Sequence, residues 1–297
     1  MASNSRSQPP RGGGVAFLSK DWKTRLGKDD LKTSTTSIIF TKDASQISGL
    51  SNSLSLGTNS ATSTTAYVDD NNFSDVKAYW GSDKSKIVIY SAGTIMAPKS
   101  CNGFFADLEN LVSLNMNNFN TSNVTDMSFM FYRCRRLVSL DVNNFDTSNV
   151  TTMSYMFADC TRLVSLDVNN FDTSKVNKMV GMFNSCFELA SLDVSNFDTS
   201  KVYEMGNMFI GCISLTSLNL GNFNLQFCTI LSSMLSNCNK LTSLTLPYNL
   251  RSGYTIDLPA STFYNGSAGP YSTVGTATSG TTVACSTASS KVTLTKK

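Results

Sequence analysis

The chain contains no histidine. That absence removes Ser-His-Asp and Cys-His catalytic arrangements, the HExxH zinc site and mixed Cys/His metal sites together. Proline is scarce, at 6 residues, and charged side chains occupy only 15% of the 297 positions. The formal net charge is +3, and its basic excess sits near the start: Arg6, Arg11, Lys20, Lys23, Arg25, Lys28 and Lys32 against Asp21, Asp29 and Asp30. The remainder is near neutral, which argues against a nucleic-acid footprint on the body. There is no Gly-rich phosphate loop, no Cys-x-x-Cys pair and no apolar run long enough to span a membrane. Residues 1–14, MASNSRSQPPRGGG, hold no apolar signal-peptide core and no lipobox-like cysteine, so neither an export signal nor an anchor is expected.

What the chain does contain is a gapless repeat. Cysteine recurs at Cys134, Cys160, Cys186, Cys212 and Cys238, always 26 residues apart. Leucine keeps the same step at Leu111, Leu137, Leu163, Leu189, Leu215 and Leu241, and again three residues later from Leu114 to Leu244. Phenylalanine follows at Phe119, Phe145, Phe171, Phe197 and Phe223, and a Met-Phe pair at 130/131, 156/157, 182/183 and 208/209. A fixed period in this range marks units that cannot bury an apolar face alone and must stack on one another.

Within one unit, Leu137-Val-Ser-Leu140-Asp-Val142-Asn143 reads as a strand with Leu140 and Val142 inward and Ser139, Asp141 and Asn143 outward. Asp146-Thr147-Ser148-Asn149 is turn chemistry, because Asp and Ser side chains bond backbone amides two residues on. Val150, Met153 and Phe157 are spaced three and four apart, as on one side of a short helical turn. The expected fold is an α/β solenoid of leucine-rich-repeat type, with strand, turn and short helical turn in each unit and β-rich caps at both ends.

The run LVSLDVNNFDTSNVTTMSYMFADC at 137–160 resembles the repeat of BspA-like surface proteins, a leucine-rich-repeat relative found in bacterial adhesins and mycoplasma-type lipoproteins. The resemblance extends upstream through VKAYWGSDKSKIVIYSAGTIMAPKSCNGFF at 76–105. It implies a scaffold for adhesion or recognition, with no catalytic residues to carry over. The chain departs from the general pattern L-x-x-L-x-L-x-x-N, since Phe145 and its equivalents stand where that pattern has Asn. The neighbouring Asn118, Asn144, Asn170, Asn196 and Asn222 are the candidates for a side-chain ladder in its place.

Four regions are expected. Residues 1–34 form a basic arm with a short helix over SKDWKTRL (19–26), capped by Ser19 and stopped by Gly27, whose Trp22 and Leu26 share a face. Residues 35–100 hold a Ser/Thr-rich linker with one apolar strand at Ser37–Phe40, then a hairpin of Val76–Trp80 and Lys86–Tyr90 covering the open end of the stack. Residues 101–246 are the repeats, and 247–297 a β-rich cap with strands at Tyr254–Leu258, Thr281–Cys285 and Lys291–Thr295.

Five of the eight cysteines sit at the repeat period beside core Phe and Leu, where parallel thiols are poorly oriented for bridging, so a reduced buried ladder is expected. Cys228 occupies a core Val position, and Cys101 and Cys285 lie outside the register. The periodic methionines read as core filler, and no metal or cofactor is expected. Asn120, Asn123 and Asn149 match the glycosylation pattern but read as turn residues.

The carboxylates Asp141, Asp167 and Asp193 recur at the repeat period, which suits a structural lattice and not a unique catalytic pair, so no enzyme activity is expected. Ligand recognition has two candidate surfaces. The first is a basic and aromatic cluster where the repeats differ: Tyr132, Arg133, Arg135, Arg136, Tyr155 and Arg162. The alternative is the outward lattice of Ser139, Asp141, Asn143, Ser165, Asp167, Asn169, Ser191 and Asp193. A protein or glycan surface ligand fits either one. The expected role is a non-enzymatic recognition or adhesion protein displayed on a cell or virion surface, such as a phage virion appendage or decoration protein that binds host or glycan. The alternatives are a structural virion component held to other subunits by residues 1–34, and a bacterial adhesin exported by an unrecognised route.

Overall fold

A computed structural model describes residues 15–18, 20–56, 76–247, 249–250, 255–257, 271–274, 282–285 and 292–295. The arm at 1–14, the Ser19 cap and Tyr254 fall outside the described residues. Strand β1 (Val15–Phe17) precedes two short helices, α1 (Trp22–Leu26) and α2 (Lys28–Ser34). Gly27 joins the helices at a φ of 87°, a left-handed conformation that glycine adopts without a Cβ penalty. Trp22 and Leu26 are buried, Trp22 against the rings of Phe104 and Phe105.

Next come β2 (Ser37–Thr41), a 3-10 turn at Ala44–Ile47, β3 (Asn52–Ser55), β4 (Lys77–Trp80), β5 (Lys86–Tyr90) and β6 (Thr94–Met96). The first repeat contributes β7 (Ser113–Asn115) and β8 (Phe119–Asn120). β4 and β5 form an antiparallel hairpin, and β2 lies between β5 and β7, parallel to both, with Ile38 opposite Leu114. The hairpin therefore reaches the repeats through β2, whose alternation buries Ile38 and Phe40. At the other end are β9 (Ser217–Asn219), β10 (Asn224–Leu225), β11 (Ser243–Leu246), β12 (Asn249–Leu250), β13 (Thr255–Asp257), β14 (Tyr271–Val274), β15 (Thr282–Cys285) and β16 (Val292–Thr295). β16 returns antiparallel onto β11, and β15 pairs with both β13 and β14.

The structure overturns the expected α/β solenoid of leucine-rich-repeat type. It consists of mixed parallel and antiparallel sheets, and the helical segments among the described residues all lie upstream of the repeats. No strand stands between Asn120 and Ser217 among the described residues, so the strand rows do not join into one closed sheet.

The expected helical turn fails for a backbone reason. Each unit carries two left-handed residues four apart, such as Phe129 (φ 58°) and Arg133 (φ 61°), repeated as Tyr155 and Asp159 and as Gly181 and Ser185. An α-helix cannot contain such residues at every fourth position. Alternate N–H groups instead cross to the next unit: Met127 to Thr152 O, Phe129 to Ser154 O, Phe131 to Met156 O and Arg133 to Ala158 O, at 2.8 to 3.0 Å. The N–H groups between them close tight local turns, as Tyr132 does onto Phe129 O. Buried residues keep a spacing of three and four, which imitates a helix in the sequence.

Side-chain rows run the length of the repeats. Phe105, Phe131, Phe157, Phe183 and Phe209 stack with centroids 5.4 to 5.7 Å apart. Cys134, Cys160, Cys186, Cys212 and Cys238 are buried, and each thiol donates to a carbonyl of the preceding unit, Cys160 to Phe131 O at 3.2 Å. Asn144, Asn170 and Asn196 donate from Nδ2 to carbonyls of the unit before, Met116 O, Val142 O and Val168 O, which is the ladder expected of them. Thr121, Thr147, Thr173 and Thr199 form a buried hydroxyl row, each donating to the next unit, as Thr147 does to Asp172 O. Cys101 and Cys228 are also buried.

Gly181 is the position in this stretch where glycine is required twice over. Its φ is 57°, and a Cβ there would land on the ring of Tyr155, which itself stacks on Phe129 at 4.9 Å. Gly181→Ala is expected to lower stability by about 1–2 kcal/mol through left-handed strain and displacement of that ring. Unchanged thermal unfolding of the variant would contradict this geometry.

Candidate functional site

Both candidate surfaces can be placed. The arginines of the first are engaged between units. Arg133 sits over the Tyr132 ring at 4.8 Å and faces Asp107 and Asp159 at 3.8 and 3.7 Å. Arg135 pairs with Glu109 at 3.3 Å, Arg162 faces Glu188 at 3.9 Å, and Arg136 donates to Asn110 Oδ1 at 3.5 Å. Half-exposed pairs of this kind contribute little individually, but they neutralise the patch. Tyr155 is covered by Phe129 on one face and lies along Gly181. The sequence reading missed these acidic partners, although Asp107, Glu109 and Asp159 stand at the repeat step from the arginine positions.

The outward lattice is built differently. Ser139, Asp141, Asn143, Ser165, Asp167, Asn169, Ser191 and Asp193 are all exposed, while Leu140, Val142, Leu166 and Val168 between them are buried. From Ser165 onward this face forms an open groove of about 630 Å³. It is lined by the row Ser165, Ser191, Ser217, Ser243, the row Asp167, Asp193, Asn219, Thr245, and beyond that Asn169 and Ser195, with the buried Leu166, Leu192 and Leu218 beneath.

The sequence explains why strands are missing along this face. The Oδ1 atoms of Asp141, Asp167 and Asp193 accept the N–H groups of Asn143, Asn169 and Ser195 at 2.9 to 3.0 Å, closing turns within each unit. The same turn closes at Asn115 and Asn219, where strands do form, so the difference along this face lies in the charge. The Ser195 hydroxyl and N–H hold the Asp193 carboxyl below the ordinary range, so it remains charged at neutral pH. Like charges directly opposite one another oppose strand pairing. Where the row is uncharged, at Asn115, Asn219 and Thr245, strands form. Between the central units only an isolated bridge, Ser139 to Ser165, remains on this side, while the turn side keeps an unbroken run of bridges from Ser100 to Ile230.

Asp167→Asn should therefore raise stability by about 0.2–1 kcal/mol, because Asn keeps the turn, as Asn115 and Asn219 do, and loses the charge. Asp167→Ala loses the same charge but also the turn bond, and should therefore be less stable than Asp167→Asn by about 1 kcal/mol. Equal denaturation midpoints for the two variants would refute this account of the face.

Comparison with known proteins follows the repeats. The family described as "Mycoplasma protein of unknown function, DUF285" matches residues 99–191 and 164–257, together more than half of the chain. The chain belongs to that family. The two overlapping matches begin at the first repeat and end beyond β11, so the groove and the arginine cluster both lie inside the family's span. No curated protein and no solved structure matches the chain. Among the described residues no helix is long and apolar enough to cross a membrane.

Proposed function

We propose that this chain is a non-enzymatic recognition module whose binding face is the open groove over Ser165 to Thr245, and that it is presented on a surface. The observation that carries the reading is the groove itself, an open concavity with exposed hydroxyl, carboxylate and amide walls on a scaffold fixed by buried rows. Rigid backing of this kind lowers the ordering cost of binding. The carboxylates each commit one oxygen to a turn, which suits a lattice better than proton transfer. The arginine cluster is the weaker candidate, because its charges already face partners in adjacent units. Resemblance of the 26-residue pattern to BspA-like surface proteins supports surface display, and membership in the DUF285 family is compatible with it.

The test uses fluorescently labelled protein on intact cells. Ser191→Arg with Ser217→Arg fills the groove from exposed positions and is expected to abolish attachment with unchanged thermal unfolding. Arg133→Ser, Arg135→Ser and Arg136→Ser together are expected to retain attachment. The opposite pattern would move the binding face to the arginine cluster.

A further inference from the structure

The groove has a property that narrows its ligand: its chemistry is translationally repetitive. Ser165, Ser191, Ser217 and Ser243 present one row of hydroxyls at successive units, and Asp167, Asp193, Asn219 and Thr245 present a parallel row of acceptors. The backbone bonds along this side, Ala190 N–H to Val164 O and Thr242 N–H to Thr216 O, keep the units at neighbouring-strand spacing, about 4.8 Å. Leu166, Leu192 and Leu218 lie beneath the rows as part of the core and hold the outward residues in line. A compact ligand would touch one or two units and leave the rest of this repetition unused. An extended polymer lying across the units would meet a serine hydroxyl and, beside it, a carboxylate, amide or hydroxyl oxygen at every step.

Resting on the recognition role proposed above, we infer that the groove takes a linear polysaccharide laid across the repeats, with one sugar ring per unit. A pyranose ring is polar at its edges and apolar on its C–H faces. Its hydroxyl-bearing edges match the exposed rows of hydroxyl, carboxylate and amide groups, and the length of a ring in an extended chain is close to the step between units. An extended peptide fits less well, because residues on one of its faces recur about every 6.8 Å and run out of step with the units. Asp167 and Asp193 face no cation among the ion pairs of the described residues, so the groove repels carboxylated or sulfated chains. The chain it accepts is neutral or carries amines.

Calorimetry with the full chain and soluble β-linked oligosaccharides tests this, using cello-oligosaccharides and chito-oligosaccharides of two to six units and heparin-derived fragments as the acidic comparator. Affinity should rise at least about tenfold from two to four units and then level off, since four units line the groove. Heparin fragments should bind at least about tenfold more weakly, and Ser191→Arg with Ser217→Arg should remove binding with thermal unfolding unchanged. Length-independent affinity, preference for heparin fragments, or binding that survives the groove variant would overturn the inference. If no oligosaccharide binds while the same variant still abolishes cell attachment, the polysaccharide assignment falls and the recognition role stands. If the variant affects neither, both fall.

Discussion

Raising the pH above about 10 should unfold this protein cooperatively, with thiolate absorbance appearing at the same pH at which secondary structure is lost. Burial pushes the Cys101, Cys134 and Cys238 thiols up to about 12 and the Cys228 thiol to about 11, and drives Cys160, Cys186 and Cys212 well above their ordinary value of 9.0. In the unfolded chain these thiols ionise near 9.0. Above that pH the folded state therefore holds more protons than the unfolded one, and stability falls as pH rises. Each thiol contributes about 1.4 kcal/mol per pH unit in this window. Seven acting together give a slope on the order of 10 kcal/mol per pH unit near pH 10 to 11, comparable to the whole stability of an ordinary domain.

One group opposes them. Desolvation lowers the Lys23 ammonium to about 8, so that between there and 10.5 the unfolded chain binds the extra proton and its contribution to stability rises. At pH 8 about a tenth of each thiol is already ionised in the unfolded chain, so the seven together offset Lys23 there, and the net expectation is stability that falls gently from about pH 8 and collapses above about 10. Circular dichroism and ultraviolet absorbance, titrated together, check it. Thiolate absorbance growing smoothly from pH 9 with the fold intact would show that the cysteine row is open to solvent.

Lys23 also shows where the sequence was silent. In the repeats, each unit's carbonyls accept from the unit before, as Tyr132 O does from the Asp107 N–H. The first unit has no predecessor, and Lys23 reaches from α1 to supply donors, to Ala106 O at 2.9 Å and Gly103 O at 2.7 Å. A lysine in a basic segment carries no mark of such a role. By contrast, the inward rows, the asparagine ladder and the burial of Trp22 and Leu26 were legible, because each depends on a local pattern or a fixed period. The left-handed positions were not: Phe129, Tyr155, Asn207 and Ser233 share that conformation with Gly103 and Gly181, and only the glycines advertise it. Their strain is sustained by hydrogen bonds between units 25 residues apart, a distance at which helical periodicity says nothing. The missing central strands were half visible, since the change from Asn115 to Asp141, Asp167 and Asp193 and back to Asn219 can be read from the chain, whereas its effect depends on the rows lying opposite one another.

Phe157→Ala should be among the most damaging single substitutions. The ring is fully buried and lies nearly parallel to Phe131 at 5.5 Å and Phe183 at 5.7 Å, so its removal breaks two stacks and leaves a void closed above and below by other rings. Burial loss and cavity together cost about 3–5 kcal/mol, and the two ring contacts add about 0.5–1.5 kcal/mol each where neighbours cannot close in. They cannot do so readily here, because Phe157 N–H is tied to Met182 O and Phe131 N–H to Met156 O, which fixes the spacing of the units. Leu166→Ala makes the informative contrast. Leu166 is 6% exposed at the edge of the groove, so the space it leaves opens to water and the cost should lie near the lower end of the range for such truncations, about 2 kcal/mol. Denaturant titration of both variants gives the comparison directly. Equal losses would mean that the phenylalanine row relaxes as easily as the groove edge, and the rigidity on which both the recognition face and its polysaccharide assignment depend would be absent.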